Sequence, residues 1–311
     1  MGRSARNARS TEVTKAVQIL VSGLTVGSVI ALVAFGYNLV FASTRIVNFA
    51  QGSMLVIAGY VAFAIVREGV PIWAAFLASV LVALGVGGLI EIVAIKPLGG
   101  FDPSTNVGWI LTTFGVGLIA IDVIKRTIGA EPRRIPPLIG SIFGWRVAKV
   151  SGVAVTVPDV VLVVTALALV VSLELLQHRT ALGRAFRAVS QDRQIAGLMG
   201  INTEATVMIT FAIAGALAAV GAVLIAPIQF VKLDNGVNLG LQAFIAAVLG
   251  GLGSTKGAVA GGYVIGFTGA IVGTVTSEGG SWTPVVVFIV FLLVLVVRPS
   301  GIFGSPAIEK V

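Results

Sequence analysis

The feature that most limits this chain's fold is a succession of apolar runs, each near the length that carries a helix through a bilayer. They cover residues 17–41, 72–95, 107–123, 153–176, 205–230, 239–254, 258–276 and 284–297, and about 20 apolar residues make one crossing. Only helices and closed barrels satisfy their backbone groups in hydrocarbon, and runs of this length read as helices. The expected fold class is all-α: a polytopic integral membrane protein with about eight transmembrane helices. Composition agrees, with 57% hydrophobic and 11% charged residues against about 25% charged in a soluble domain. No hydrophilic stretch is long enough to fold alone, so 17–297 reads as one membrane domain between tails at 1–16 and 298–311.

A further apolar stretch, 49–66, follows Ile46-Val47-Asn48-Phe49-Ala50-Gln51-Gly52, where two amides and a glycine interrupt the hydrophobic pattern. Arg3, Arg6, Arg9 and Lys15 place the amino terminus in the cytoplasm, and the apolar run after them is too long for a cleaved signal. With residues 177–204 also inside, parity requires 49–66 to be re-entrant or part of a broken helix. Polar interruption at membrane depth is tolerated only against protein or a wet cavity. On this topology Lys256, Arg298 and Lys310 are cytoplasmic, and the carboxyl terminus with them. The 126–152 loop faces outward despite Arg133, Arg134, Arg146 and Lys149; its length and its prolines at 132, 136 and 137 fit an ordered external loop. Glycines four apart, at Gly23 and Gly27, Gly257 and Gly261, Gly262 and Gly266, and Gly269 and Gly273, predict close helix packing in lipid.

Residues 177–204 form the longest clearly water-facing segment, and they read as two short amphipathic helices. In the first, Leu182, Phe186 and Val189 share a face while Arg184 and Arg187 point away. In the second, Ser190 is the expected N-cap, Asp192 lies in the first turn, Ile195, Leu198 and Met199 form the apolar face, and Gly200 stops the helix. Asn202 then caps the next span, with Glu204 in its first turn. Such a loop either touches anionic membrane lipid or docks a cytoplasmic partner. Two capped, glycine-stopped helices favour docking, because lipid attraction needs only scattered basic residues.

Chemistry is sparse. His178 is the only histidine, four residues after Glu174 at a helix end, and there is no cysteine, so no catalytic group, metal site or cofactor is expected. The spans hold no carboxylate ladder for a proton-driven carrier. Residues 249–257 (LGGLGSTKG) only superficially resemble a phosphate loop, since spacing and flanks are wrong. The net charge of +8 sits at the ends of apolar runs, not in a nucleic-acid-binding stripe. What remains at membrane depth is neutral and polar: Asn38, Asn48, Gln51, Thr112 and Thr113, with Asn106 near one end. Each must face another helix or a cavity. The pair at the break, Asn48 and Gln51, is the leading candidate for a neutral translocation pathway.

Gly23-Leu24-Thr25-Val26-Gly27-Ser28, the 46–52 break, 179–188 (RTALGRAFRA) with Gly200-Ile201-Asn202, 248–254 (VLGGLGS) with Gly257-Ala258-Val259, and 297–304 (VRPSGIFG) occur in this order. In these motifs the chain resembles the permease subunits of branched-chain amino-acid ABC importers, from about Gly23 to Gly304. The resemblance implies a bacterial inner-membrane complex with a second permease subunit, two cytoplasmic ATPases and an extracytoplasmic solute-binding protein. It also implies that 180–201 carries the coupling helices, with Arg179, Gly183, Arg184, Arg187, Asp192, Leu198, Met199 and Gly200 as candidate contacts. One departure stands out: the family commonly has N-F-A-H-G at the break, where Gln51 replaces the histidine. Branched-chain amino acids are the leading substrates, with urea, short amides or another small neutral solute as alternatives. A stand-alone channel or secondary carrier is the alternative of another class.

Overall fold

In the computed structural model the described residues are 2–98, 107–139, 146–150, 153–276 and 279–304. Asn106 and Lys310 fall outside them, as do the side chains of Arg3, Arg6, Arg9, Arg146 and Lys149. The chain is all-α and polytopic. Its helices are α1 (Gly2–Thr44), α2 (Gln51–Arg67), α3 (Ile72–Ile90), α4 (Gly108–Thr127), α5 (Val157–Arg179), α6 (Ala181–Gln191), α7 (Arg193–Leu198), α8 (Thr203–Ile225), α9 (Asp234–Gly250), α10 (Thr255–Val275) and α11 (Thr283–Val297). A π turn and a 3-10 turn extend α3 to Leu98. A two-stranded antiparallel hairpin, β1 (Arg146–Val150) and β2 (Val153–Thr156), leads into α5, which Thr156 and Asp159 cap reciprocally.

Seven helices are long and apolar enough to cross a membrane, while α2 and α9 are shorter, at 17 residues each. The eight apolar runs correspond to α1, α3, α4, α5, α8, α9, α10 and α11, and the interrupted stretch is α2. The core lies where α1, α2, α8 and α9 meet, and from Val29 to Phe35 every side chain of α1 is almost fully buried. A helix apolar on all sides belongs in such a centre. By contrast α4, α5 and α11 lie outermost.

Backbones approach closely where the sequence placed its glycines. A Cβ on Gly27 would lie 2.9 Å from the Tyr263 ring, one on Gly262 would lie 2.5 Å from Ala31 Cα, and one on Gly266 would fall on Gly27. These positions seat α10 against α1. Gly52, Gly236 and Gly240 do the same for α2 on α9. Of the eight glycines in the four-apart pairs, Gly273 alone has open space around it.

Contacts between remote segments fix which helix ends lie together. Arg45, just past α1, donates from Nη2 to Ser190 O near the end of α6, at 3.3 Å. Lys96 pairs with Glu204 at 3.0 Å and Lys256 with Glu174 at 3.5 Å. The carboxyl ends of α1, α3 and α5 and the amino ends of α8 and α10 therefore gather around α6 and α7, on what is here termed the loop face. At the opposite, far face, Thr25 Oγ1 donates to Asp159 Oδ1 at 3.1 Å, Tyr60 OH donates to Glu131 O at 3.0 Å, and Arg133 pairs by backbone with Val231. That face holds the amino-terminal part of α1, the ends of α2, α4 and α8, and residues 128–139 and 153–156.

The amino terminus thus lies opposite the 177–204 loop, and the expectation that both are cytoplasmic is corrected: at most one can be. The 1–16 segment is also no separate tail, since α1 is continuous from Gly2. The physical reason is that basic residues do not choose a face. Arg45, Lys96, Arg184, Arg187 and Arg298 sit at the loop face, while Lys15, Arg67, Lys125, Arg126 and Lys232 sit at the far one. With α1 reversed, parity no longer needs a returning segment, and residues 45–67 complete one broken passage to the far face. The carboxyl segment stays with the loop face, where Ile302 and Phe303 donate their amides to Leu249 O and Gly250 O at 2.8 and 3.0 Å.

Candidate functional site

The break begins where Arg45 takes φ +59, a left-handed conformation uncommon outside glycine. The turn that follows is tied locally. Asn48 Oδ1 accepts from Ala50 N at 3.1 Å, and the Gln51 amide donates to Asn48 O at 3.1 Å, starting α2. Gln51 Nε2 then donates to Ala214 O at 2.9 Å. Ala214 is midway along α8, so α2 starts about halfway across the bundle. Asn48 and Gln51 are fully buried, and the Asn48 Nδ2 and Gln51 Oε1 atoms have no protein partner. Buried polar atoms are nearly always bonded, so these two unpartnered atoms set the helix break apart from the packed core around it.

Thr113 joins this group. Its hydroxyl donates to Trp109 O at 2.7 Å and accepts from Phe49 N at 3.4 Å. Trp109, whose ring stacks on Phe49 at 6.2 Å, carries a third orphan, Nε1; sequence reading passed over it because a lone tryptophan in an apolar run gives no polar signal. Thr112 only donates back to Trp109 O, at 3.3 Å. Asn38 stands apart. It donates to Gly251 O and Ser254 O at 3.3 and 2.8 Å and accepts from Gly253 N at 3.2 Å. Its amide is spent on holding the turn between α9 and α10. Beside the break is a cavity of about 220 Å³ walled by Tyr37, Phe49, Phe114, Leu241 and Phe244, which is apolar enough for an aliphatic side chain.

At the loop face, α6 and α7 are capped helices, with one correction. Asp192, not Ser190, caps α7, accepting from Gln194 N and Ile195 N at 2.9 Å each. Ser190 lies within α6 and its hydroxyl donates to Arg187 O at 2.8 Å. Thr180 caps α6 and Asn202 caps α8, each at 3.0 Å. Gly183 lies against the carbonyls of Leu176 and Gln177, which closes the α5–α6 corner tightly. Arg187 donates to Gln177 O, while Arg179 and Arg184 are exposed. Gly200 has φ +83 and stops α7 as expected. Val189 and Ala196 turn inward, whereas Ile195, Leu198 and Met199 are 58%, 88% and 78% exposed. Ion pairing differs from local spacing: Lys96 chooses Glu204 over Glu91, and Glu174 chooses Lys256 over His178.

The coupling candidates therefore form one face, joined through Arg45 to the start of the break. Asn48, Gln51 and Thr113 form a second group at mid-depth, without Asn38. Comparison with known proteins identifies the family. Residues 19–295 match a family described as branched-chain amino acid transport system, permease component. The chain is 35% identical to the high-affinity branched-chain amino acid transport system permease protein BraD of Pseudomonas aeruginosa, over 96% of this chain and 99% of the relative. It is 34% identical to LivH of Escherichia coli, over 95% and 97%, and 28% identical to a probable LivH of Methanocaldococcus jannaschii, over 92% of each.

Proposed function

Because the chain belongs to the family of branched-chain amino acid transport permease components, we propose that it forms a membrane pathway for leucine, isoleucine and valine in an ABC importer whose ATP is hydrolysed by separate subunits. The observation that carries this is the link from a water-facing apolar surface at α7 to a buried polar break, through the Arg45 guanidinium on Ser190. The aromatic cavity beside the break suits a branched aliphatic side chain, which supports these substrates over urea or short amides.

In this reading α6 and α7 dock the ATPase through Leu198 and Met199, flanked by Arg179, Arg184 and Arg187. The loop face is then cytoplasmic, in the inner membrane of a bacterium, and the far face receives a solute-binding protein near the 128–156 connection. A second permease subunit, a paralogue or another copy, completes the pathway, and lipid covers the rest. The carboxyl terminus is cytoplasmic and the amino terminus external. In intact spheroplasts, added protease should remove an amino-terminal tag and spare a carboxyl-terminal one; the opposite pattern rejects this orientation.

Uptake in proteoliposomes tests the function. The chain alone should not accumulate leucine under a proton or sodium gradient, and adding its ATPases, binding protein and ATP should restore accumulation. Gradient-driven accumulation by the chain alone would overturn the ABC assignment. Gly200→Val should uncouple without unfolding, since nothing lies within 4 Å of its Cβ position and only the backbone is strained, by about 1–2 kcal/mol. Monodisperse protein with stimulation of ATP hydrolysis by loaded binding protein largely lost is the expected outcome.

A further inference from the structure

A second cavity, of about 510 Å³, opens between the far-face ends of α1, α5, α9, α10 and α11, within the roughly 300–1,000 Å³ usual for small-molecule sites. Its walls concentrate carboxamides. Gln18, Gln229, Asn235, Asn238 and Gln242 all line it, five of only 14 asparagine and glutamine residues in the chain. On α9, Asn235, Asn238 and Gln242 recur at i, i+3 and i+7, a polar stripe on one side of the helix. The other side of α9, at Gly240, Leu241 and Phe244, walls the aromatic cavity by the break. Asn235 Nδ2 donates to Phe230 O at 2.9 Å; an amide facing hydrocarbon costs free energy, so Asn238 and Gln242 are the members of the stripe left to face water or a polar solute.

One carboxylate faces the same space. Asp159 is held from two sides: Oδ1 accepts from the buried Thr25 hydroxyl at 3.1 Å, and Oδ2 accepts from Thr156 N at 3.0 Å and from the Thr156 hydroxyl. No lysine, arginine or histidine is among the residues lining the cavity, and among the described residues no ion pair engages Asp159. Among the described residues the site therefore presents one fixed negative charge, Asp159, and several neutral donors and acceptors.

We propose that this cavity is a far-face binding site for a small zwitterion, with the solute's ammonium group at Asp159 and its carboxylate on the amide NH2 groups of Asn238 and Gln242. The assignment deepens the importer reading and rests on it for the identity of the solute. A single carboxylate selects for an ammonium group, and neutral amides hold a carboxylate only weakly, which suits a site where the solute pauses and moves on.

The test uses the purified full chain in lipid nanodiscs and photo-leucine, a leucine analogue with a diazirine side chain, followed by illumination and peptide mapping. Labelling is expected in peptides spanning 229–242 and 265–274, suppressed by excess leucine or leucinamide but not by 4-methyl-2-oxopentanoate, which lacks the ammonium group. Asp159→Asn should reduce labelling by at least about tenfold, the scale of one lost hydrogen bond to a charged group. Because Asp159 also caps α5, Gln242→Leu serves as the second variant, expected to cut labelling several-fold with an unchanged melting temperature. Equal competition by the keto acid, or labelling unaffected by both substitutions, overturns the proposal. The outcome is separable from the importer reading: ATP-driven uptake without competed labelling rejects the site alone, and competed labelling without ATP-driven uptake rejects the importer alone.

Discussion

A Gly266→Val variant is expected to yield almost no monodisperse protein. The new Cβ would land on Gly27 Cα, 2.5 Å from Gly27 N and 2.8 Å from Gly23 O. All three are backbone atoms of α1, so no side-chain rotation relieves the clash. Overpacking a core typically costs about 1–3 kcal/mol. Here two further γ-methyls extend past the Cβ, and the helix displaced is, with α8, one of the two most buried long helices in the bundle. Against a total stability of about 5–15 kcal/mol, separating α10 from α1 removes a large share. Gly273→Val on the same helix is the control. Nothing lies within 4 Å of its Cβ position, and it should elute and melt as the parent does. Similar behaviour of the two variants would refute the assignment of helix packing to the close glycines.

Leu198→Asp should have the opposite profile: an intact permease that no longer holds its ATPase. At 88% exposure Leu198 touches little of its own chain, and such surface changes usually alter folding by less than about 0.5 kcal/mol. At the centre of a docking surface, however, losing an apolar anchor costs about 2 kcal/mol or more, or roughly 30-fold in affinity, and a buried unpaired carboxylate adds to the loss. Co-purification with the ATPases and ATP-driven uptake should both collapse while the melting temperature holds. Full retention of the ATPase would move the docking surface away from α7.

The spans were legible because hydropathy reports length directly. Residues 258–276 and 284–297 were expected to be helical, and α10 and α11 occupy Thr255–Val275 and Thr283–Val297. The start of α9 was missed by five residues, since Asp234, Asn235 and Asn238 are too polar to register as a span although they begin one. Their spacing was the available signal. Direction was not legible: an apolar run is the same read either way, and lysines and arginines flank both faces. The break announced itself through two amides in an apolar stretch. The sequence could not show that Asn38 belongs to the backbone of Gly251–Ser254, because that partnership joins positions more than 200 residues apart. Ser190 and Asp192 are both good caps, and only the extended backbone at Asp192, with φ −154 and ψ 112, decides between them.

The start of α1 and the 298–304 segment lie on opposite faces, which limits how this protein can be joined to itself. In two copies inserted in the same sense, the 298–304 segment of one copy and the start of α1 in the other lie at opposite membrane surfaces. A glycine-serine linker cannot connect them, because it would leave its peptide groups unpaired across about 30 Å of hydrocarbon. A covalent tandem of this permease needs a linker that is itself a transmembrane helix. Without one, a head-to-tail gene fusion forces the second copy in upside down, with its α6 and α7 on the wrong side of the membrane.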